Sequence, residues 1–258
     1  VTNMIIVGDA HAKPGINNER FTWLGRLIND LKPDIVLETG DWADMPSLSS
    51  YDGSVLTGGG AKKASFEGKR YKADVQASRD AFDRVDHEIR KAKKKTPHRI
   101  SLGGNHCEGR INRALQLVPE LEGLLDISEL HSPLWEYVPF LQPAVVGGFT
   151  FQHYMTSGVK GQPIGGEYPA TSHLKKQFAS CVVGHSHLFD ESHRATPMGK
   201  IQAFVAGCYL APNQHEAYAG AANQMWDRGL LYMKGVDNGY CQDGFEWITI
   251  ESIRRAYR

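Results

Sequence analysis

Asp9-Ala10-His11 places a carboxylate and an imidazole two residues apart just after a short apolar run, where together they can bind one ion. Four more segments repeat the arrangement. In Gly40-Asp41-Trp42-Ala43-Asp44 the glycine allows a sharp turn, and both oxygens of Asp41 are available to bridge two ions. Gly104-Asn105-His106 offers a neutral amide oxygen to a metal, while the adjacent His106, pointing elsewhere, stays free to move a proton. His153 follows the run Phe149 to Gln152, and Gly184-His185-Ser186-His187 turns two imidazoles toward one cluster, the most specific single motif of the set. Taken singly, each has a plainer explanation. Asp9 and Asp41 serve equally well as caps of helices or turns, His106 as a satisfied core histidine, and His185 and His187 as members of a solvated loop. Taken together they do not. Polar groups clustered after several apolar strands need partners, because each one buried and unpaired costs about 1–3 kcal/mol. Metal ions supply such partners.

The elements that must deliver these residues are short, apolar and β-branched, as buried strands are: Met4 to Val7, Ile35 to Glu38, Arg99 to Leu102, Phe149 to Gln152, Cys181 to Val183 and Gln202 to Ala206. Helices are expected between them. One runs from Asn18 to Leu31, capped by Asn17 or Asn18, with Phe21, Leu24, Leu27, Ile28 and Leu31 at helical spacing. Another runs from Ala73 to Lys95, with Phe82, Val85, Ile89 and Ala92 on one face. Gly58-Gly59-Gly60 and weak periodicity mark an inserted loop at about residues 45–72. Glycines from Gly235 to Gly244 mark a turn between two last strands, Leu230 to Met233 and Phe245 to Ile250. The 258 residues show no repeat or linker and read as a single α/β domain.

Lys+Arg and Asp+Glu both number 29, which argues against a globally basic nucleic-acid binder and against an acidic tail, so phosphate affinity must come from a local patch. Cys107, Cys181, Cys208 and Cys241 form no CxxC pair and are too sparse for a disulfide framework, which fits free thiols in a reducing cytoplasm. The run Met4 to Val7 is too short for a signal-peptide core or a membrane span. No membrane partner is expected.

The order DxH, GDxxD, GNH, H, GHxH, spanning Asp9 to His187, resembles the signature of the calcineurin-like metallophosphoesterases. Gly104 to Arg113, the segment ending Cys181-Val182-Val183-Gly184-His185, and Ala206-Gly207-Cys208 further resemble short single-domain members encoded by bacteriophages, which would work in the host cytoplasm. The resemblance implies two mixed β-sheets packed as a sandwich with flanking helices and a site at the strand ends of one edge. It implies that Asp9, His11 and His187 bind one metal, that Asp41 bridges, and that Asn105, His153 and His185 bind the other. His106 would be the proton donor and Asp44 the carboxylate that orients it, although Asp44 also reads as an ordinary turn carboxylate. Three departures stand out. Met45-Pro46 replaces the Arg-Gly of Ser/Thr protein phosphatases, which weakens a phosphoprotein substrate. Cys107 separates His106 from Glu108, displacing a carboxylate that commonly follows Asn-His. Ser186 stands where Thr is frequent and retains the hydroxyl.

These readings lead to a metal-dependent phosphodiesterase, in effect a nuclease or nucleotide hydrolase, with two divalent ions. The mixed N/O ligand set favours Mn, Fe or Zn over Ca; Mn is the first expectation, with Fe, Zn, Ni or Mg as alternatives. Arg110 and Arg113, three residues apart, would share a helix face near the metals and grip phosphates, or simply form a solvated face. Lys62, Lys63, Lys69, Arg70 and Lys72, interleaved with Phe66 and Tyr71, fit a nucleic-acid strand by charge and stacking, or a merely soluble loop. Lys91, Lys93, Lys94 and Lys95 are better explained by the negative end of a helix dipole. The competing functions are a phosphomonoesterase or phosphoprotein phosphatase, and a non-catalytic metal-binding scaffold, against which His106 argues.

Overall fold

The computed structural model describes residues 2–49 and 70–258. The glycine run and Lys62, Lys63, Phe66 and Lys69 of the expected inserted loop lie outside the described residues.

In chain order the elements are β1 (Thr2–Val7), α1 (Glu19–Leu31), β2 (Ile35–Glu38), α2 (Tyr71–Lys91), β3 (His98–Leu102), α3 (Glu108–Leu117), β4 (Glu136–Val138), β5 (Ala144–Val146), β6 (Phe149–Gln152), β7 (Thr156–Ser157), β8 (Gln162–Pro163), α4 (Pro169–Gln177), β9 (Cys181–Val183), β10 (Phe189–Thr196), β11 (Gly199–Ala206), β12 (Gly229–Asp237), β13 (Tyr240–Cys241), β14 (Phe245–Thr249) and α5 (Ile250–Tyr257). A seven-stranded sheet runs β13-β12-β1-β2-β3-β4, with β14 also on β12. Its β1, β2, β3 and β4 are parallel, whereas β12 is antiparallel to β1. The five-stranded sheet runs β10-β11-β9-β6-β5, parallel across β11, β9 and β6 and antiparallel at both edges.

Why β1 is apolar at every position from Met4 to Val7 follows from its place in the layers. Successive side chains point to opposite faces of a sheet, and both faces are covered here. Met4 and Ile6 join Leu37, Ile100 and Leu102 against Phe149, Phe151, Val182 and Phe204 of the second sheet. Ile5, Val7 and Val36 pack outward on Phe21, Leu24 and Ile28 of α1 and Phe82, Val85 and Ile89 of α2. Val183 and Val205 meet Ala170 and Leu174 of α4 on the far side. Each large apolar side chain so buried contributes about 1.5–3 kcal/mol, and the result is a mixed α/β sandwich with helices on both outer faces. A buried polar tie fixes α2 to β3: Asp86 accepts hydrogen bonds from Arg99 Nη1 at 2.5 Å, Ser132 Oγ at 2.7 Å and Trp135 Nε1 at 3.0 Å. Among the described residues no helix is long and apolar enough to cross a membrane.

Several expectations need adjustment. The second helix ends at Lys91, and Lys93 adopts a left-handed backbone (φ 51°), so Lys94 and Lys95 lie beyond it. Tyr71 is no loop aromatic: it opens α2, is buried, and its hydroxyl donates to Asp126 O at 3.2 Å. Asn18 precedes α1, but it is Asn17 Oδ1 that accepts from Glu19 N, at 2.8 Å, while Asn18 Nδ2 reaches across to Ala77 O. The stretch Gly235 to Gly244 holds the end of β12 and all of β13 as well as turns.

Candidate metal centre

The five motifs meet because all five follow the carboxyl ends of parallel strands, the ordinary location of sites in such sheets. Asp9 and His11 follow β1, Asp41 and Asp44 follow β2, and Asn105 and His106 follow β3. His153 follows β6, and His185 and His187 follow β9. The strand ends are laced together: Ala10 N and His11 N both donate to Asp41 O, at 3.2 and 2.9 Å, and Gly184 N donates to His153 O at 3.0 Å. Fully buried Arg20 of α1 clamps the edge, donating to Ala10 O at 2.9 Å and to Tyr209 O at 3.0 Å.

Two motif glycines are required for close approach. A Cβ on Gly104 would lie 2.1 Å from Asp41 Oδ1, and one on Gly184 would lie 2.4 Å from Asp9 Oδ1. Four of the expected ligands have left-handed backbones, His11 (φ 46°), Asp41 (58°), His185 (70°) and His187 (60°). Each costs about 1–2 kcal/mol in an L residue, a concentration of strain typical of functional sites.

The side chains converge. His187 Nε2 lies 3.0 Å from Asp9 Oδ2, His153 Nε2 lies 3.2 Å from Asp41 Oδ2, and Asn105 Oδ1 sits 2.7 Å from His153 Nε2 and 2.9 Å from His185 Nδ1. His153 Nδ1 lies 3.0 Å from Thr39 O; donating there, it leaves Nε2 facing the cluster, as expected when a second partner fixes a ligand's tautomer. His11 has no exposed surface, yet neither ring nitrogen has a hydrogen-bond partner. Nε2 stops 4.0 Å from Asp9 and 3.8 Å from Asp41, and Nδ1 stops 3.7 Å from Asp44 and 3.8 Å from Glu216. Ligand atoms of Asp9, His11 and His187 lie within 4.8 Å of one another, as do those of Asp9, Asp41 and His153. These groups can hold metal ions, and the unpartnered His11 Nε2 beside Asp9 and Asp41 fits such a role.

Charges in the cluster stabilise one another. Burial opposes ionisation of Asp9, but His153 and His187 bring it down to about 2. Asp41 is likewise held well below the usual carboxylate range against burial, by His153, His106 and His11. Burial would lower His11, but Asp41, Glu216 and Asp44 raise it to about 10, and Asp41 and Asp9 raise His153 to about 9 in the same way.

His106 stands differently. Its Nδ1 lies 2.7 Å from Asp44 Oδ1, leaving Nε2 as the outward nitrogen. Burial, then the neighbouring charges of His11 and Arg110, lower its affinity for a proton. It lines both a cavity of about 330 Å³ floored by Asp9, Asp41, His185 and His187 and a neighbouring one of about 430 Å³ with Leu48, Asn105, Arg110 and Arg113. Its ligand atom also falls within 4.8 Å of those of His11 and Asp41, a grouping that metal analysis of a His106 variant resolves.

Arg113 lines the larger cavity from α3 as the spacing anticipates. Arg110 shares that helix, but its Nη1 is engaged by Asp44, donating to the main-chain carbonyl and, at 3.1 Å, to Oδ1. It therefore braces Asp44 as well as lining the cavity. Glu108, displaced by Cys107, accepts from Tyr137 OH and, at 2.6 Å, from Phe140 N, well away from ligand duty. Ser186 lines the same cavity as Asp9 and Asp41, its Oγ unpartnered among the described residues.

Sequence reasoning missed Lys13, Glu216, Tyr218 and Trp226. Lys13 Nζ bridges Asp44 Oδ2 at 3.1 Å and Glu216 Oε2 at 2.5 Å. The Trp226 ring packs edge-on 4.1 Å from His187, and Tyr218 lies 5.6 Å from His106. Glu216, Tyr218 and Trp226 lie in a segment between β11 and β12 with no strand-then-ligand pattern, and Lys13, although it follows the first motif directly, has no spacing that points to Asp44 or Glu216.

No protein-family model matches the chain, and no curated protein is detectably similar to it. A solved crystal structure aligns at a TM-score of 0.40 and 11% identity, over 96% of this chain and 99% of that one. Likeness at that level identifies neither a family nor a function.

Proposed function

We propose that this chain is a metal-dependent phosphodiesterase of calcineurin-like type, acting on nucleic acid or a nucleotide with two divalent ions, Mn²⁺ foremost. The observation that carries the reading is His106, held by Asp44 at 2.7 Å on the divide between an Asp/His cage and a second cavity. A scaffold has no use for an oriented imidazole at that position.

Asp9, His11 and His187 would hold one ion, Asn105, His153 and His185 the other, and Asp41 both. Ions so held supply Lewis acidity and a water acidic enough to attack phosphorus near neutral pH. The remaining work falls to the protein. Asp44 orients His106 through Nδ1, and His106 Nε2 delivers a proton to the departing oxygen, a contribution typically worth 10²–10⁴-fold. Arg110 and Lys13 keep Asp44 ionised and fixed. The roughly 430 Å³ cavity beyond His106 has room for a leaving group larger than water, and Arg113 at its wall favours an anionic one.

Hydrolysis of bis-p-nitrophenyl phosphate with Mn²⁺, abolished by chelation and at least matching hydrolysis of the monoester, is the expected result. Strong monoester preference with phosphopeptide turnover would favour a phosphatase, and metal binding without turnover of either ester would favour a scaffold.

A further inference from the structure

His11 is flanked by carboxylates at both ends of its ring, Asp9 and Asp41 beyond Nε2 and Asp44 and Glu216 beyond Nδ1. The two at Nδ1 are not equivalent. Asp44 is heavily used: Oδ1 serves His106 Nδ1 and Arg110 Nη1, and Oδ2 takes Lys13 Nζ. Glu216 gives Oε2 to Lys13 Nζ, whereas Oε1 accepts Gln214 Nε2, at 2.8 Å. A carboxylate oxygen has two acceptor sites, so Glu216 Oε1 retains one for His11.

The surroundings of Glu216 look built for that purpose. It is 1% exposed, although it lies in a non-strand segment between β11 and β12. The Asn223 side chain grips its main chain on both sides, accepting from Glu216 N and donating to Glu216 O, each at 2.8 Å. Gln214 Nε2 links Glu216 Oε1 to the main-chain oxygen of His11 itself, at 3.2 Å. Arg228 fastens the start of the segment through Ala211 O, Pro212 O and Gln214 O. An ion pair with Lys13 alone would need none of this.

We infer that Glu216 is a positioning residue for the metal ligand His11: from 3.8 Å its Oε1 would draw in to accept the Nδ1 proton when a metal is bound, and so present the Nε2 lone pair toward Asp9 and Asp41. This rests on the reading of Asp9, His11, Asp41 and His187 as one metal site. Partners of this kind fix the tautomer and orientation of a ligating histidine, and their loss typically weakens metal affinity about 10–100-fold. The Lys13 ammonium offsets the added negative charge without reaching the cage.

Titration of the purified full-length chain with Mn²⁺ by calorimetry, beside thermal melting of the chelator-treated protein, tests the inference. Glu216→Gln should bind the weaker of its ions about 10–100-fold less tightly than the wild type does, with stoichiometry restored at saturating Mn²⁺. Equal affinity in variant and wild type overturns it, whatever the melting temperature does. Loss of one ion even at saturation also overturns it, because Glu216 would then be a ligand. Should Glu216→Gln not fold, Glu216→Asp, which withdraws the carboxylate by one methylene, is judged by the same affinities. A wild type that binds no Mn²⁺ is a separate outcome and removes the metal-site reading itself.

Discussion

The two sheets bring different chemistry to their shared edge. Loops after β1, β2 and β3 carry Asp9, Asp41 and Asp44 together with His11, Asn105 and His106, whereas those after β6 and β9 contribute His153, His185 and His187 and no carboxylate. The first group is also tied within itself. Asp41 O accepts two main-chain bonds from the β1 loop, Asp41 Oδ1 accepts from His106 N at 2.7 Å, and Asp44 is braced by His106, Arg110 and Lys13. The second group reaches the first mainly across the gap, through Asp9, Asp41 and Asn105. A carboxylate-bearing, self-supporting half thus faces a histidine half that depends on what lies between them. Damage to the first should therefore abolish the site, and damage to the second should subtract from it.

The sharpest way to break this contrast is Asp41→Asn. On the proposed reading, in which Asp41 would be shared by two ions and contribute several kcal/mol of transition-state stabilisation, turnover of bis-p-nitrophenyl phosphate should fall by about three orders of magnitude or more and bound metal should drop. Normal turnover with an unchanged metal content would remove Asp41 from the centre. Next in size is His106→Ala, expected to keep both ions yet lose about 10²–10⁴-fold on a diester with a sugar alkoxide leaving group. On p-nitrophenolate, which departs with little proton help, the loss should be much smaller. An equal loss on both, with an ion missing, would make His106 a ligand.

For the histidine half, His153→Ala should cost one of two ions and leave the other measurable by elemental analysis, where Asp41→Asn spares neither. Loss of both ions from the histidine variant would erase the distinction between the sheets. The mildest effect is pH dependence. His11 and His153, one from each half, hold protons up to about 10 and about 9, and a protonated imidazole cannot bind metal. Affinity should therefore rise with pH, fall as pH drops, and flatten only above these values, by about tenfold per pH unit for each proton displaced. Calorimetry in buffers of different ionisation enthalpy counts those protons, and a flat profile from pH 6 to 8 would show that neither histidine binds metal.

Much of this was legible in the sequence, for definite reasons. Met4 to Val7, Ile35 to Leu37 and Cys181 to Val183 are covered on both faces, so their unbroken apolar character marks them as strands without a periodicity test. The ligand types stand out because they follow such runs directly. Less was visible where neither condition holds. Phe189–Thr196, β10, is an edge strand of half-buried polar residues and does not look apolar. Glu216 is separated from His11 by 205 residues of chain and joins it only because Gly207 to Arg228 folds back over the β1 loop, a tertiary event with no local signature. Arg110 could be placed near the site by spacing, but not its attachment to Asp44, which depends on the direction of one side chain.

The central position of β1 governs the order in which the molecule can be made. Met4, Ile5, Ile6 and Val7 are wholly buried, with β2 on one side and β12 on the other. During synthesis β1 must therefore wait, with one backbone edge unpaired, until Gly229–Asp237 emerges some two hundred residues later. At about 5–20 residues per second that wait lasts roughly 10–50 seconds. Throughout it, the strand that will present Asp9 and His11 is an open template for any passing β-segment, so the nascent chain depends on shielding that the finished protein no longer needs.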